Sequence, residues 1–437
     1  YNINVMFMEK LNEEFVINLS HKKGEPEWMT DFRVNSYKTF LNSSEPSFGP
    51  KLDIDFDSLC YYKDKTKKLT NKWENVSCNI RNTFDNLGVI EAENKYLGGV
   101  TNQIESEVFY HNQVVEDNII FTSSDDALKK YPDLFKKYFN NLVKYDENKY
   151  TALNGALWSG GSFIYIPPHT KVDRPLQSYF RIESASLGQF ERTIIIVDDY
   201  AELSYIEGCT ATAYSTTSLH AGVVEIYVGK HAKCRYSTIQ NWSNDVYNLV
   251  TKRAIVDEDG LMEWVDGNIG SGVTMKYPSC ILKGDNSKGN SISIAYAKAG
   301  QVLDAGAKMI HLGKNTKSTI ISKSIAANGG VANYRGTTRI TKNATNSVAE
   351  VKCDTILLDD KSRSDTFPKN IVANQSSRLA HEATIQKIDE DKLFYLVSKG
   401  LTEDMAKELL IMGFINDFKK ELPMEYAVEL NRLIKEN

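Results

Sequence analysis

The sequence predicts a mainly β protein, a β-solenoid core set between a mixed N-terminal region and a helical C-terminal region. The first of three supporting observations is a strand pattern that returns about every 28 to 31 residues. Val-Asp-Asp-Tyr-Ala-Glu-Leu-Ser-Tyr at 197–205 comes back as Val-Gly-Lys-His-Ala-Lys-Cys-Arg-Tyr at 228–236 and Val-Asp-Glu-Asp-Gly-Leu-Met-Glu-Trp at 256–264. It recurs as Leu-Gly-Lys-Asn-Thr-Lys-Ser-Thr-Ile at 312–320. The second is that each copy holds a strand end, a polar turn, a small residue (Ala201, Ala232, Gly260, Thr316) and a second strand of period two. Third, no copy can bury its apolar face alone, so the copies must stack.

Residues 1–150 read as mixed α and β. Leu11–Leu19 and Glu27–Leu41 have helical spacing, the second starting around Pro26 near the first helical position. Asp126–Tyr145 is a further helical stretch broken at Pro132, and the lysine-rich Tyr61–Asn75 reads as a surface loop or a disordered insertion. The solenoid runs from Trp158 to about Ile385, within a core region 151–388. Residues 389–437 change period, with helices over Asp391–Lys399, Thr402–Lys420 and Pro423–Lys435. Gly400 is placed as a stop, Thr402 as an N-cap and Pro423 as a first-turn residue. Met405, Leu409, Met412 and either Phe414 or Ile415 would form one apolar face, for packing on the solenoid end or for a partner.

The 437 residues carry 52 basic and 57 acidic side chains, a net charge of -5 that gives no footprint for nucleic acid or an anionic membrane. No apolar run approaches the length of a membrane helix. The segment opening at Tyr1 has no signal-peptide pattern, which fits a start that is cut or processed. The six cysteines are scattered, without a Cys-x-x-Cys pair, which points to a reducing compartment. Lys far outnumbers Arg, and Asn and Ile are abundant, the bias that A/T-rich codons produce.

Stacking the copies assigns side chains to faces. Ala201, Leu203, Tyr205, Glu207 and Cys209 share one face, and one coil on so do Ala232, Cys234, Tyr236, Thr238 and Gln240. Cys234 then stacks between Leu203 and Met262 as a small buried hydrophobe. Cys209 stacks with Gln240 and Asn268, a polar row that is either functional or simply exposed at the turns. For Cys353, on a face with Val351 and Thr355, the residues alone favour a buried inert thiol. His381 follows 28 residues later, about one coil, with Glu382 beside it. Thiolate, imidazole and carboxylate brought together in that way make a mixed metal site. The other histidines have no partner motif and read as surface or satisfied core residues. Walker A, Gly-x-Ser-x-Gly and His-Glu-x-x-His motifs are absent. A carbohydrate-active or acyl-transferring β-solenoid enzyme is the alternative, disfavoured by the lack of a hexapeptide repeat and of an acidic ladder.

Several blocks are familiar. Glu25-Pro-Glu-Trp-Met, Ser106-Glu-Val-Phe-Tyr-His-Asn, Gly188-Gln-Phe-Glu-Arg-Thr, Tyr205-Ile-Glu-Gly-Cys and Tyr236-Ser-Thr-Ile-Gln-Asn-Trp resemble the SufB family. So do Lys276-Tyr-Pro-Ser-Cys-Ile-Leu-Lys-Gly-Asp-Asn-Ser, His311-Leu-Gly-Lys-Asn-Thr-Lys-Ser-Thr-Ile-Ile-Ser-Lys and His381-Glu-Ala-Thr. SufB proteins are scaffolds of the SUF iron–sulfur cluster assembly system, and the resemblance spans about Leu11 to Leu433.

The resemblance implies a right-handed parallel β-helix and a non-catalytic scaffold on which a transient iron–sulfur cluster is built from iron and sulfur. Its C-terminal helices would dock the ATPase SufC, whose ATP hydrolysis activates the scaffold. SufD or a second SufB would be the β-helix partner, SufS with SufE the sulfur donors, and cluster-carrier proteins the recipients, with reduced flavin in the complex. Cys209 of the Glu-Gly-Cys block would accept sulfur, and Arg181, Gln240, Trp242 and Lys252 would line a sulfur tunnel. Cys353, His381 and Glu382 would hold iron and the cluster. Three departures stand out: Ala380 where the bacterial pattern is acidic, Glu183 in place of a tunnel Asn, and no extra cysteine at 359–365. The A/T-type composition, joined to the resemblance, predicts a plastid-encoded protein of an apicoplast stroma.

Overall fold

The computed structural model describes residues 10–64, 69–78, 80–82, 96–113 and 118–420. Its core is a β-solenoid made of two long sheets. Ten strands form one sheet. From Gly99–Ile104 it runs through Leu176–Ile182, Glu202–Ala211, Lys233–Trp242, Leu261–Gly270, Lys288–Ala297, Lys317–Ala326 and Val348–Leu357 to Arg378–Lys387, all parallel. Glu107–Gln113 closes its near edge antiparallel. The facing sheet has thirteen strands and includes Val246–Val256, Val273–Lys276, Val331–Ile340 and Thr366–Val372.

Successive register partners lie 28 residues apart at Lys233 and Leu261. They lie 27 apart at Leu261 and Lys288, 29 at Lys288 and Lys317, 31 at Lys317 and Val348, and 30 at Val348 and Arg378. The coil at Lys288–Ala297 lies between the repeats at 256–264 and 312–320 and does not show in the sequence pattern. Its inward residues are Gly289, Ser291 and Ser293, too small and polar to give an apolar alternation. Many corners place a residue in the left-handed region: Tyr200, His231, Asp259, Asn286, Asn315 and Asn346 all have φ between 53° and 60°. Cys234 is buried between Leu203 and Met262, and Tyr205, Tyr236 and Trp264 form a ring ladder with centroids 5.0 and 5.3 Å apart.

Helices Glu13–Lys23 and Glu27–Asn42 pack on Lys149–Leu157 at the N-terminal side. Asn12 caps the first through the Phe15 amide, and Gly24 ends it with φ 65°. Arg33, fully buried, holds the group together with a two-pronged contact to Glu25 and hydrogen bonds to the carbonyls of Ala156 and Trp158. The helical stretch expected to reach Tyr145 ends at Tyr138, after one segment at Ser124–Lys130 and another opened by Pro132. The buried Glu225 carboxylate captures the amides of Asn140, Leu142 and Val143, which removes them from a helix. The loop expected over Tyr61–Asn75 is partly interior: Tyr61, Tyr62 and Trp73 are buried, and Trp73 stacks on Tyr110 at 4.2 Å.

At the other end, Glu390–Ser398 and Glu403–Phe414 are helical and Asn416–Lys420 adds a short turn; the helix expected at Pro423–Lys435 lies outside the described residues. The expected single apolar face divides in two. Ala406, Ile411, Ile415 and Phe418 are buried, the last three against Ile239, Val265, Ile294 and Ile325 on the flank of the ten-stranded sheet, while Met405 and Leu409 remain exposed. The preceding helix exposes Phe394 and Tyr395.

Candidate functional site

Inside the solenoid a row of polar side chains replaces the apolar ladder. In register, Glu207 is followed by Thr238, Asp266, Ser293, Ser322 and Cys353, one residue per coil and every one buried. The adjacent row starts with Phe180, Cys209, Gln240 and Asn268, so the expected stacking of Cys209 with Gln240 and Asn268 is present. Cys209 and Cys353 thus lie on neighbouring rows of one interior, five rungs or about 24 Å apart at the usual strand spacing.

The charges around Cys209 are buried and paired. Lys252 Nζ lies 3.3 Å from Glu207 Oε1, and Tyr236 donates its hydroxyl to the same carboxylate. Lys276 Nζ reaches Asp266 at 2.6 Å, Asn268 at 3.1 Å and Gln240 Oε1 at 3.3 Å. His220 bridges Asn248 at 2.8 Å and Glu191 at 2.6 Å. Three carboxylates therefore face two ammonium groups and one imidazole. Burial disfavours charge on His220, but the Glu191 carboxylate outweighs it and raises the imidazole pKa. Burial lowers the Lys276 pKa; for Asp266 it pulls upward, and the two lysines overcome it and hold the carboxyl low. Cys209 Sγ sits 3.8 Å from Glu207 Oε1, and burial with that carboxylate pushes its pKa well up. Among the described residues Gln240 Nε2, Trp242 Nε1, Glu191 Oε2 and Asp266 Oδ2 are buried without a hydrogen-bond partner, which leaves polar capacity inside the coil.

Of the residues expected to line a tunnel, Gln240, Trp242 and Lys252 are interior, and Trp242 packs with Cys209 and Phe180 and lies against His220. Arg181 pairs in register with Thr210, so alternation puts it on the face opposite Phe180 and Cys209. Its guanidinium is paired with the Glu183 carboxylate at 2.9 Å.

At the far end Cys353 Sγ lies 3.9 Å from His381 Nε2. The two are not register partners, because His381 pairs with Val351 and Cys353 with Ala383. The histidine reaches the sulfur from two positions along the strand. Burial pushes the Cys353 thiol up to about 12 and lowers the His381 pKa. Glu382 pairs with Lys352 on the opposite, exposed face. Among the described residues no group of three or more His, Cys, Asp and Glu side chains is arranged to hold a metal. Among the described residues the last coil ends both sheets, and it exposes Phe367, Ile371, Val372 and Ile385.

Glu191, His220, Asn248, Asp266 and Lys276 are missing from the sequence-based set. Asp266 lies on the ten-stranded sheet, His220, Asn248 and Lys276 on the facing one, and Glu191 just before Arg192–Val197, so no single strand's periodicity brings them together.

Comparison with known proteins gives a consistent result. Residues 180–414 match the family model described as SUF system FeS cluster assembly, SufBD core domain, and residues 64–178 match that of the SufBD protein N-terminal region. The chain is 54% identical over 429 residues to an iron–sulfur cluster assembly SufBD family protein of Staphylococcus aureus, covering 97% of this chain and 92% of the relative. A Staphylococcus epidermidis relative described in the same words is 53% identical with the same coverage. These relatives are bacterial, which overturns the expected plastid location. An A/T-rich codon bias reports nucleotide composition, not compartment.

Proposed function

Since the chain belongs to the SufBD family of iron–sulfur cluster assembly proteins, which work in the SUF system with other Suf proteins, we propose that it is a SufB-type scaffold. It accepts sulfur at Cys209 and builds the cluster at its far end on Cys353 and His381. The observation that carries this reading is the approach of Cys353 Sγ to His381 Nε2 at the open end of a polar interior row that starts beside Cys209.

Loading of Cys209 begins when the thiol gives up its proton, and Glu207, 3.8 Å away, is placed to take it. The thiolate attacks the outer sulfur of a donor persulfide; a new S–S bond forms on Cys209 and the donor leaves as a thiolate. Lys252 and Lys276 offset the negative charge, and the hydroxyls of Thr238, Ser293 and Ser322 continue the polar surface to Cys353. Two donors from one chain hold a cluster less firmly than four thiolates would, which suits a site that must release its product. A partner at the exposed end, SufD or a second copy, would complete the ligand set. Phe394, Tyr395, Met405 and Leu409 would offer SufC an apolar face. The flavin implied by resemblance has no support from the family models or relatives and is no part of the proposal.

The test is anaerobic reconstitution of the complex with SufC and SufD, using iron and sulfide. The native complex should turn brown with visible sulfur-to-iron bands, and Cys353→Ser should lose them. An unchanged spectrum in Cys353→Ser would refute the site, and a colourless native complex would leave the chain a passive scaffold.

A further inference from the structure

The thirteen-stranded sheet closes over the Cys353–His381 pair with two residues that the assembly role has not used. Strand Val331–Ile340 carries Tyr334, which is 2% exposed. Its ring lies over Gly336, where any Cβ would strike the phenol oxygen and its neighbouring ring carbons. The glycine therefore makes room for the phenol. The hydroxyl is buried, Tyr334 and Cys353 belong to one packed interior cluster, and the ring stands edge-on to His381 at 6.4 Å. The paired strand Thr366–Val372 brings Asn370, whose amide nitrogen is 3.0 Å from His381 Nδ1. That contact is on the nitrogen opposite the one facing Cys353.

We propose that Tyr334 and Asn370 are positioning residues that hold Cys353 and His381 as a preformed sulfur–nitrogen pair for a thiophilic metal ion; this rests on the reading of Cys353 and His381 given above. In the present arrangement Asn370 donates to Nδ1, so the neutral ring carries its proton on Nε2, directed at the sulfur. Metal binding needs the Nε2 lone pair. A half-turn of the Asn370 amide presents its oxygen to a proton on Nδ1, so one side chain supports both tautomers. The ring proton moves from Nε2 to Nδ1 through solvent, and the thiol proton is released to solvent. Tyr334 then donates its hydroxyl to the thiolate sulfur.

The test uses the full chain with Co²⁺ as probe, followed by sulfur-to-cobalt absorption, together with ¹⁵N NMR of the His381 ring. Asn370→Leu should weaken Co²⁺ binding about 10- to 100-fold, as loss of a ligand-orienting partner does, and should mix the two ring tautomers. Asn370→Asp still accepts from Nδ1–H and should stay within a few-fold of wild type. Tyr334→Phe keeps the ring over Gly336 and should weaken binding roughly tenfold through loss of one charge-assisted hydrogen bond. Wild-type affinity and a wild-type tautomer pattern in both Asn370→Leu and Tyr334→Phe would overturn the inference. If Cys353→Ser binds Co²⁺ as wild type does, or wild type shows no sulfur band, the donor role of Cys353 fails. The NMR comparison of Asn370→Leu then judges the positioning role separately, and an unaltered tautomer overturns it.

Discussion

Ser293 donates a hydrogen bond to Ser322 at 3.1 Å, and Ser322 is the register partner of Cys353. The row that starts at Glu207 therefore reaches the thiol with no apolar residue in it. Replacing Ser293 or Ser322 by Ala removes its hydroxyl from this row without adding volume. Each variant should fold, load Cys209 as wild type does, and deliver at least about tenfold less sulfur to Cys353, because a polar passenger loses its partners. Mass spectrometry of both cysteines after exposure to a persulfide donor reads this directly. Equal arrival at Cys353 would show that sulfur takes another route.

Thiol labelling should follow burial. Cys78 is exposed, whereas Cys209, Cys234 and Cys280 are buried and burial raises their thiol pKa values, that of Cys280 to about 12. Iodoacetamide at pH 7.5 should modify Cys78 first, with the three interior thiols slower by roughly a hundredfold or more in the native state. Docking of the sulfur donor should speed Cys209 selectively.

The Arg33–Glu25 pair ties the N-terminal helices to the chain entering the solenoid. Glu25→Ala strands a buried guanidinium and should cost about 3–5 kcal/mol, measured by urea unfolding. The double variant Arg33→Met, Glu25→Leu should recover much of that loss.

His311 gives a pH signature. Its ring is hydrogen-bonded to Thr316 and Ser318, and burial lowers its pKa to about 4. The folded value lies below the unfolded one, so the unfolded chain binds the proton first as pH falls. The His311 contribution is full above about pH 6.5, declines toward pH 4 by about 3 kcal/mol, and then levels off. His311→Asn should flatten this part of the stability profile; an unchanged slope would place the titration elsewhere.

The solenoid is legible in the sequence because polar corners and small residues recur at each turn, and inward residues such as Leu203, Cys234 and Met262 alternate clearly. The coil around Gly289 is hidden because its inward side chains are small and polar. Spacing alone sets Cys353 and His381 one coil apart, but the actual offset of 30 residues makes Val351 the partner of His381. Only the side chain closes the gap. Tyr334, Asn370 and Lys276 stay out of sight for another reason: they lie on the opposite sheet, and the depth of each connecting turn sets how the two sheets face each other.

Lys323 Nζ donates to the carbonyl of Phe414 at 2.6 Å, fastening the end of a C-terminal helix to the outside of a strand. The residue before it, Ser322, points inward next to Cys353. One peptide unit therefore separates the outer anchor from the lumen. A pull on the tail therefore has a direct mechanical route to the interior through that single linkage.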